Sequence, residues 1–301
     1  MAAKIGFIGL GAMGLPMASN LQRKGFQLTA FDVVPARIEE LVTLGANAGK
    51  SIADTARGAD IVVTMLPATA HVESVILGPD GVLANIAPGA VIMDMSTIDA
   101  NGTRRVAEAC AAKGVSFTDC PVGRLVSHAI RGESLFMVGA DDATYERIRP
   151  LLEAMGTAIY RCGGPGMGSC MKLVNNFMLL TITEVCAEAI TLGAKLGLDI
   201  ETMKTVTGAT TATNGQFQVA MATKSLVGDI EPGFTIDLAF KDMTLAINAA
   251  AEQRVGLPVG SAAHAVYGGA RATAYASKDF SAVLQLACER AGISAPRLTQ
   301  S

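Results

Sequence analysis

Three residues stand out as able to do chemistry: Lys172, Asn175 and Asn176, set in the otherwise apolar run Met171-Lys-Leu-Val-Asn-Asn-Phe177. On a helix, a spacing of four puts Lys172 and Asn176 on one face. Apolar surroundings and a nearby helix N-terminus both disfavour the ammonium form, which brings a lysine into the range where it gives and takes protons. Such a lysine suits a carbonyl or alcohol oxygen that must gain or lose a proton. Taken alone, Lys172 reads more readily as a solvated surface lysine, and Asn175 as a structural hydrogen bonder. The pair of asparagines shifts the balance, because buried amides need partners and a ligand is one.

The elements that must position these residues begin at the other end of the chain. Lys4–Ile8 reads as a buried strand, and Gly9-Leu10-Gly11-Ala12-Met13-Gly14 follows it, opening an apolar-periodic segment through Met17, Ala18 and Leu21. In such a fingerprint the first glycine makes the turn, the second lets backbone approach a pyrophosphate, and the third permits close packing of helix on strand. The phosphates then meet the unpaired amides of the helix N-terminus. Asp32 ends the second strand at the distance expected of a carboxylate that accepts the ribose hydroxyls, which favours NAD over its 2′-phosphorylated form. Its alternative is an opener of the turn before Pro35.

Strand patterns at Lys4–Ile8, Gln27–Asp32, Ile61–Met65, Val91–Met95 and Ser116–Asp119 alternate with helical ones. Two more strands are expected at Leu135–Gly139 and Ala158–Arg161, with a helix from Ala143 to Met155. The fold class is therefore α/β: an N-terminal Rossmann domain with a doubly wound parallel sheet, followed by an all-helical second domain. The division is expected at residues 1–164 and 165–301. Helices are expected from Met171 to Gly197, and near Ile200–Val206, Gln216–Leu226, Ile236–Gln253, Leu257–Gly268 and Phe280–Ala291. In an open parallel sheet the ligand lies beyond the carboxyl ends of the strands. That directs attention to Gly9–Gly14, Asp32, Leu66-Pro67, Ser96-Thr97 and Pro121–Arg124.

Composition narrows the partners. A formal charge of −3, with 24 Lys and Arg residues scattered along the chain, gives no basic footprint for nucleic acid. Asn175, Asn176, Glu184 and Glu188 interrupt the apolar segment Leu173–Leu192, which argues for a buried helix over a membrane span. The six cysteines and three histidines show no metal-ligand spacing, and the cysteines read as reduced, mostly buried side chains of a cytoplasmic protein.

Together these motifs resemble the β-hydroxyacid dehydrogenase family, which includes 3-hydroxyisobutyrate dehydrogenase and tartronate semialdehyde reductase. Gly9–Gly14 matches its cofactor turn, Met65-Leu66-Pro67 its second cofactor loop, and Asp94-Met-Ser96-Thr97 the loop that reaches nicotinamide and substrate. Asp119-Cys-Pro-Val122 opens its substrate motif, Gly166-Met-Gly-Ser-Cys-Met-Lys172 with Asn176 matches its catalytic helix, and Phe234, Leu238, Lys241 and Asp242 match a late helix. The resemblance implies that Lys172 is the general acid/base and Asn176 a positioning group. It implies that Ser96, Gly123, Arg124 and Asn175 bind substrate and that Thr97 and Lys241 bind NAD. It further implies a small acidic aldehyde or hydroxy acid as substrate, and a homodimer or homotetramer.

One departure bears on the substrate. Where most of the family has Ser-Gly-Gly after the Pro-Val, this chain has Gly123-Arg124-Leu125. A guanidinium fork suits an oxyanion with several acceptor oxygens, and the Pro-Val-Gly-Arg motif is similar to that of family members that reduce a sulfonated aldehyde. Leu125 and Leu179 stand where small hydroxyl residues are expected to help bind a sulfonate. The alternative for Arg124 is a surface ion pair, and the alternative for the whole chain is a dinucleotide-binding protein without turnover.

Overall fold

The computed structural model describes residues 3–299. The chain divides into two compact units, Met1–Lys172 and Leu173–Ser301. Unit one is built on β1 (Lys4–Ile8), β2 (Gln27–Phe31), β3 (Asn47–Ala48), β4 (Ile61–Thr64), β5 (Val91–Asp94), β6 (Ser116–Asp119), β7 (Val122–Gly123), β8 (Ser134–Gly139) and β9 (Gly156–Gly163). These form one sheet in the order β3-β2-β1-β4-β5-β6-β8-β7, with β9 paired to β8. Pairing is parallel from β3 to β6, then antiparallel where β8 meets β6 and β7. The order reverses beside β1, so the crevice beyond the ends of β1 and β4 is the place for a dinucleotide.

Helices in this unit are α1 (Gly14–Arg23), α2 (Pro35–Val42), α3 (Ile52–Ala56), α4 (Thr69–Leu77), α5 (Val82–Asn85), α6 (Ala100–Ala112), α7 (Val126–Ile130) and α8 (Asp142–Met155). Strands β4 and β5 are buried at every position and mostly apolar, because both faces of the sheet are covered. Successive side chains point to opposite faces: Phe7, Val63 and Met93 join the core shared with Met17 and Leu21 of α1 and Leu152 of α8. Their neighbours Ile8, Val62 and Ile92 join the other, with Val72 and Ile76 of α4 and Val106 of α6. Both the doubly wound sheet and the helical region after it match the fold read from the sequence.

Helix α9 (Met167–Lys195) runs through the division, and α10 (Ile200–Gly208), α11 (Ile236–Glu252), α12 (Pro258–Ala270) and α13 (Val283–Arg290) complete the second unit. By length and composition α9 passes as a membrane span. Its Leu180, Ala187 and Ile190 instead belong to a core with Met243, Tyr267 and Leu286.

Two local expectations need correction, and two short strands were not expected. Between Gln216 and Leu226 the chain forms a π-helical stretch, Gln216–Met221, and a separate 3-10 turn, Ser225–Val227, rather than one α-helix. Asn214 holds Phe217 N through its side-chain oxygen at 2.9 Å, and Gly228 ends the turn at φ +84°. The last helix starts as a 3-10 turn over Phe280–Ala282, because Asp279 accepts from Ser281 N. Strands β3 and β7, two residues each, have no pattern for a sequence reading to catch.

Candidate active site

The glycine turn after β1 is built by contact. A Cβ on Gly9, at φ +97°, lies 2.3 Å from Met65 O, and one on Gly14 lies 2.0 Å from Gly9 O. Neither position admits a side chain. Around Gly11 a Cβ meets nothing within 4 Å: the second glycine leaves an exposed backbone hollow at the start of α1, whose first turn carries no acidic residue. Such a hollow, fringed with helix-end amides, fits a pyrophosphate. Ala12 is exposed, Met13 half-buried and Leu10 buried in the core, so Leu10 offers only backbone to a ligand. Asp32 accepts from Leu10 N at 2.6 Å and from Val34 N at 2.8 Å, tying the end of β2 to the glycine turn. Each carboxylate oxygen keeps lone-pair capacity for ribose hydroxyls.

Beyond β4 and β5 lie the next two loops. Met65 and Leu66 are half-buried and Pro67 is exposed. Asp94, 1% exposed at the end of β5, accepts from Thr64 Oγ1 at 2.7 Å, Ser96 Oγ at 2.6 Å and Ser96 N at 3.2 Å. Burial pushes its carboxyl up to about 6 against the pull of those donors. Ser96 in turn accepts from Leu66 N at 2.9 Å and is itself buried. With its one proton committed to Asp94, this hydroxyl has no donor left for a ligand, whereas Thr97 is half-buried at the outer end of the loop.

The third position is the end of β6. Asp119 accepts from Gly166 N at 2.6 Å and Ser169 N at 2.5 Å, so a buried carboxylate caps the start of α9. Burial raises its pKa while these amides oppose the rise. Gly168 is obligatory there, since its Cβ would lie 2.3 Å from Met137 O and 2.7 Å from Asp119 O. Because the cap starts the helix at Met167, Lys172 sits in the second turn rather than at the very start, and Met171 and Val174 beside it are exposed. The lysine is half-buried, and its Nζ donates to Val122 O at 2.7 Å. That carbonyl belongs to β7, which ends at the buried Gly123. Arg124 follows at φ +70°, a left-handed backbone that costs a non-glycine residue about 1–2 kcal/mol. Its guanidinium is exposed and docked through Nη1 on Glu133 O at 2.6 Å and Thr157 Oγ1 at 2.9 Å.

In the second unit the remaining expected residues form their own cluster. Asn176, 4% exposed, donates through Nδ2 to Asp242 Oδ2 at 2.6 Å and accepts from Asn175 Nδ2 at 3.0 Å. Lys241 Nζ lies 3.1 Å from Asp242 Oδ1. Asn176 retains a second amide hydrogen and a second lone pair.

The sequence reading did not give roles to Asp94, Asp119 and Asp242, the carboxylates that hold Ser96, α9 and Asn176. A signal was present for two of them: an acid closing an otherwise apolar buried strand has to find donors.

Residues 4–164 match the family model for the NAD binding domain of 6-phosphogluconate dehydrogenase. Residues 166–287 match the model described as NAD-binding of NADP-dependent 3-hydroxyisobutyrate dehydrogenase. A 3-sulfolactaldehyde reductase of Escherichia coli K12 is 40% identical over 293 residues, covering 97% of this chain and 98% of its own. A 3-hydroxyisobutyrate dehydrogenase of Pseudomonas aeruginosa is 39% identical over 273 residues, 87% of this chain and 90% of its own. Among solved structures, the 3-hydroxyisobutyrate dehydrogenase of Mycobacterium tuberculosis with L-serine superposes with a TM-score of 0.88 at 32% identity, covering 95% of this chain and 99% of that one.

Proposed function

The chain belongs to the β-hydroxyacid dehydrogenase family, and from that premise we propose that it reduces a short acid-bearing aldehyde to its hydroxy acid, with 3-sulfolactaldehyde as the preferred substrate. As an NAD-dependent oxidoreductase acting on a CH–OH group, it needs three things of its own residues: a cradle for NAD, a proton donor, and a hold on the acid group. The observation that carries the reading is the 2.7 Å bond from Lys172 Nζ to Val122 O. It fixes the proton-handling lysine beside the backbone that continues into Gly123 and Arg124.

Gly9–Gly14 and Asp32 are assigned to NAD, with Met65–Pro67, Thr97 and, from its motif, Lys241. Bound NADH supplies the hydride to the carbonyl carbon. As the C=O pair moves onto oxygen, Lys172 gives that oxygen a proton from Nζ, and in the reverse direction takes it back. The bond to Val122 O uses one of three ammonium hydrogens and aims the others. Asn176, one turn further along α9, is assigned to ordering the reacting groups, with Asn175 holding its amide oxygen.

For the acid group we assign the Gly123–Arg124 backbone and the guanidinium of Arg124, whose fork has three donors beyond the two on Nη1. A sulfonate offers three acceptor oxygens to such a fork, and the 40% identity to a 3-sulfolactaldehyde reductase supports that choice. One observation favours a second reading: with Nη1 already docked on Glu133 and Thr157, Arg124 serves the loop, and a carboxylate substrate such as 3-hydroxyisobutyrate, 4-hydroxybutyrate or tartronate semialdehyde is held mainly by backbone. Exposed Met178, Val185, Leu192 and Leu196 on and just after α9 support a homodimer or homotetramer.

The test is NADH oxidation with 3-sulfolactaldehyde, succinic semialdehyde and tartronate semialdehyde side by side. A kcat/KM at least tenfold higher for the sulfonate is expected, and preference for a carboxylate selects the second reading. Lys172→Ala should cut kcat by about 10²–10⁴-fold, the usual worth of a positioned acid, while NADH still binds. An active variant removes the lysine from the mechanism. Arg124→Ala is expected to raise KM for the acidic aldehyde at least tenfold with NADH binding little changed.

A further inference from the structure

Asp94 is a buried acid whose bonds come from the neutral donors of Thr64 and Ser96, and an acid so placed needs a reason. It ends β5 in register with Thr64 of β4 on one side and Asp119 of β6 on the other. All three of its bonds from Thr64 and Ser96 fall on one oxygen, Oδ1. The direction of the chain of bonds is fixed by proton count. Leu66 N–H has only a proton to give, so Ser96 Oγ accepts from it, and the single Ser96 hydrogen goes to Asp94. The loop thus held is the one against which the glycine turn rests: a Cβ on Gly9 would lie 2.3 Å from Met65 O and 3.1 Å from Leu66 Cδ2.

We propose that Asp94 is a positioning residue for the cofactor, acting through Ser96 to fix the backbone of Met65–Pro67 and, through that loop, the Gly9 turn. The inference rests on the reading of these loops as the NAD cradle. It also reassigns Ser96: its hydroxyl acts on the protein's own backbone, and direct contact with substrate passes to other groups. Burial, which holds the Asp94 carboxyl near 6, shows that the acid is kept at a cost that three donors only partly offset. An apolar residue at the same position avoids that cost and leaves Ser96 free to rotate away from Leu66.

The experiment measures the NADH Kd by nicotinamide fluorescence for Asp94→Leu, which removes the acceptor at similar size, Ser96→Ala and the double variant, with apo thermal unfolding and the KM of the best aldehyde at saturating NADH. Asp94→Leu and Ser96→Ala are each expected to raise the NADH Kd at least tenfold while the aldehyde KM stays within twofold. Because both act through one chain of bonds, the double variant is expected to be no weaker than the worse single. A folded Asp94→Leu with a Kd within twofold of wild type overturns the proposal, as does a double variant whose loss is the product of the two singles or an aldehyde KM that rises in step with the Kd. If Asp94→Leu does not fold, Ser96→Ala and Ser96→Thr decide: the first must weaken NADH tenfold and the second, which keeps the hydroxyl, must restore it to within threefold. Wild-type protein that fails to bind NADH strikes the cradle reading itself, a different result from any of these.

Discussion

At Asp32 two demands meet on one carboxylate. Its oxygens accept Leu10 N and Val34 N, which sets the geometry of the glycine turn, and their remaining lone pairs are the ones assigned to ribose hydroxyls in the proposed NAD cradle. A 2′-phosphate brought there meets like charge. kcat/KM with NADH is therefore expected to exceed that with NADPH by at least tenfold, and Asp32→Ser should narrow the ratio while lowering stability, since two amides lose their acceptor. Equal efficiency with both cofactors in the wild type counts against the carboxylate's role. Arg124 shows a similar double duty. Its positive φ is a strain of the sort that gathers at ligand sites, while its side chain is moored to Glu133 and Thr157.

Helix α9 shows what the sequence made legible and what it hid. Its glycine-rich start, lysine and asparagines were readable as residue types in a motif, as were the apolar runs of β1, β2, β4, β5, β6 and β8. The acids that place them were not assigned, because Thr64–Asp94, Ser169–Asp119 and Asn176–Asp242 are bonds across 30, 50 and 66 residues, with no periodicity to announce them. Nor does an apolar period separate an α-helix from the π-helical Gln216–Met221, where one asparagine decides. The cap on α9 carries its own prediction. Gly168→Ala puts a methyl 2.3 Å from Met137 O, and backbone on both sides leaves little room to relax. A loss of about 3 kcal/mol, the upper end of the usual cost of overpacking, is expected, read as a fall in the denaturation midpoint. A variant as stable as wild type means that the start of α9 shifts freely.

On the scale of the whole molecule, acids buried in both units make stability depend on pH. Glu184, 5% exposed in the helical core, has a carboxyl pushed from 4.5 to about 7, chiefly by burial and then by Glu188, with Arg290 opposing. Its folded pKa lies above the unfolded one, so the folded state holds more protons between them. Stability is then highest below about pH 4.5, falls as pH rises to about 7, and levels off beyond, by on the order of 3 kcal/mol for this group alone. Glu184→Gln should raise Tm at pH 8, leave it nearly unchanged near pH 4, and flatten the slope between. An unaltered slope assigns the pH dependence to Asp94 and Asp119, whose pKa values are also raised. The strand order has a different consequence, for biosynthesis. β1 sits inside the sheet although it is made first; β4 is later laid down beside it, and β5 and β6 each beside the strand translated just before. A nascent chain leaving the ribosome thus meets a template already formed, and each growing edge waits only for the next 25 or so residues, a few seconds at about 5–20 residues per second.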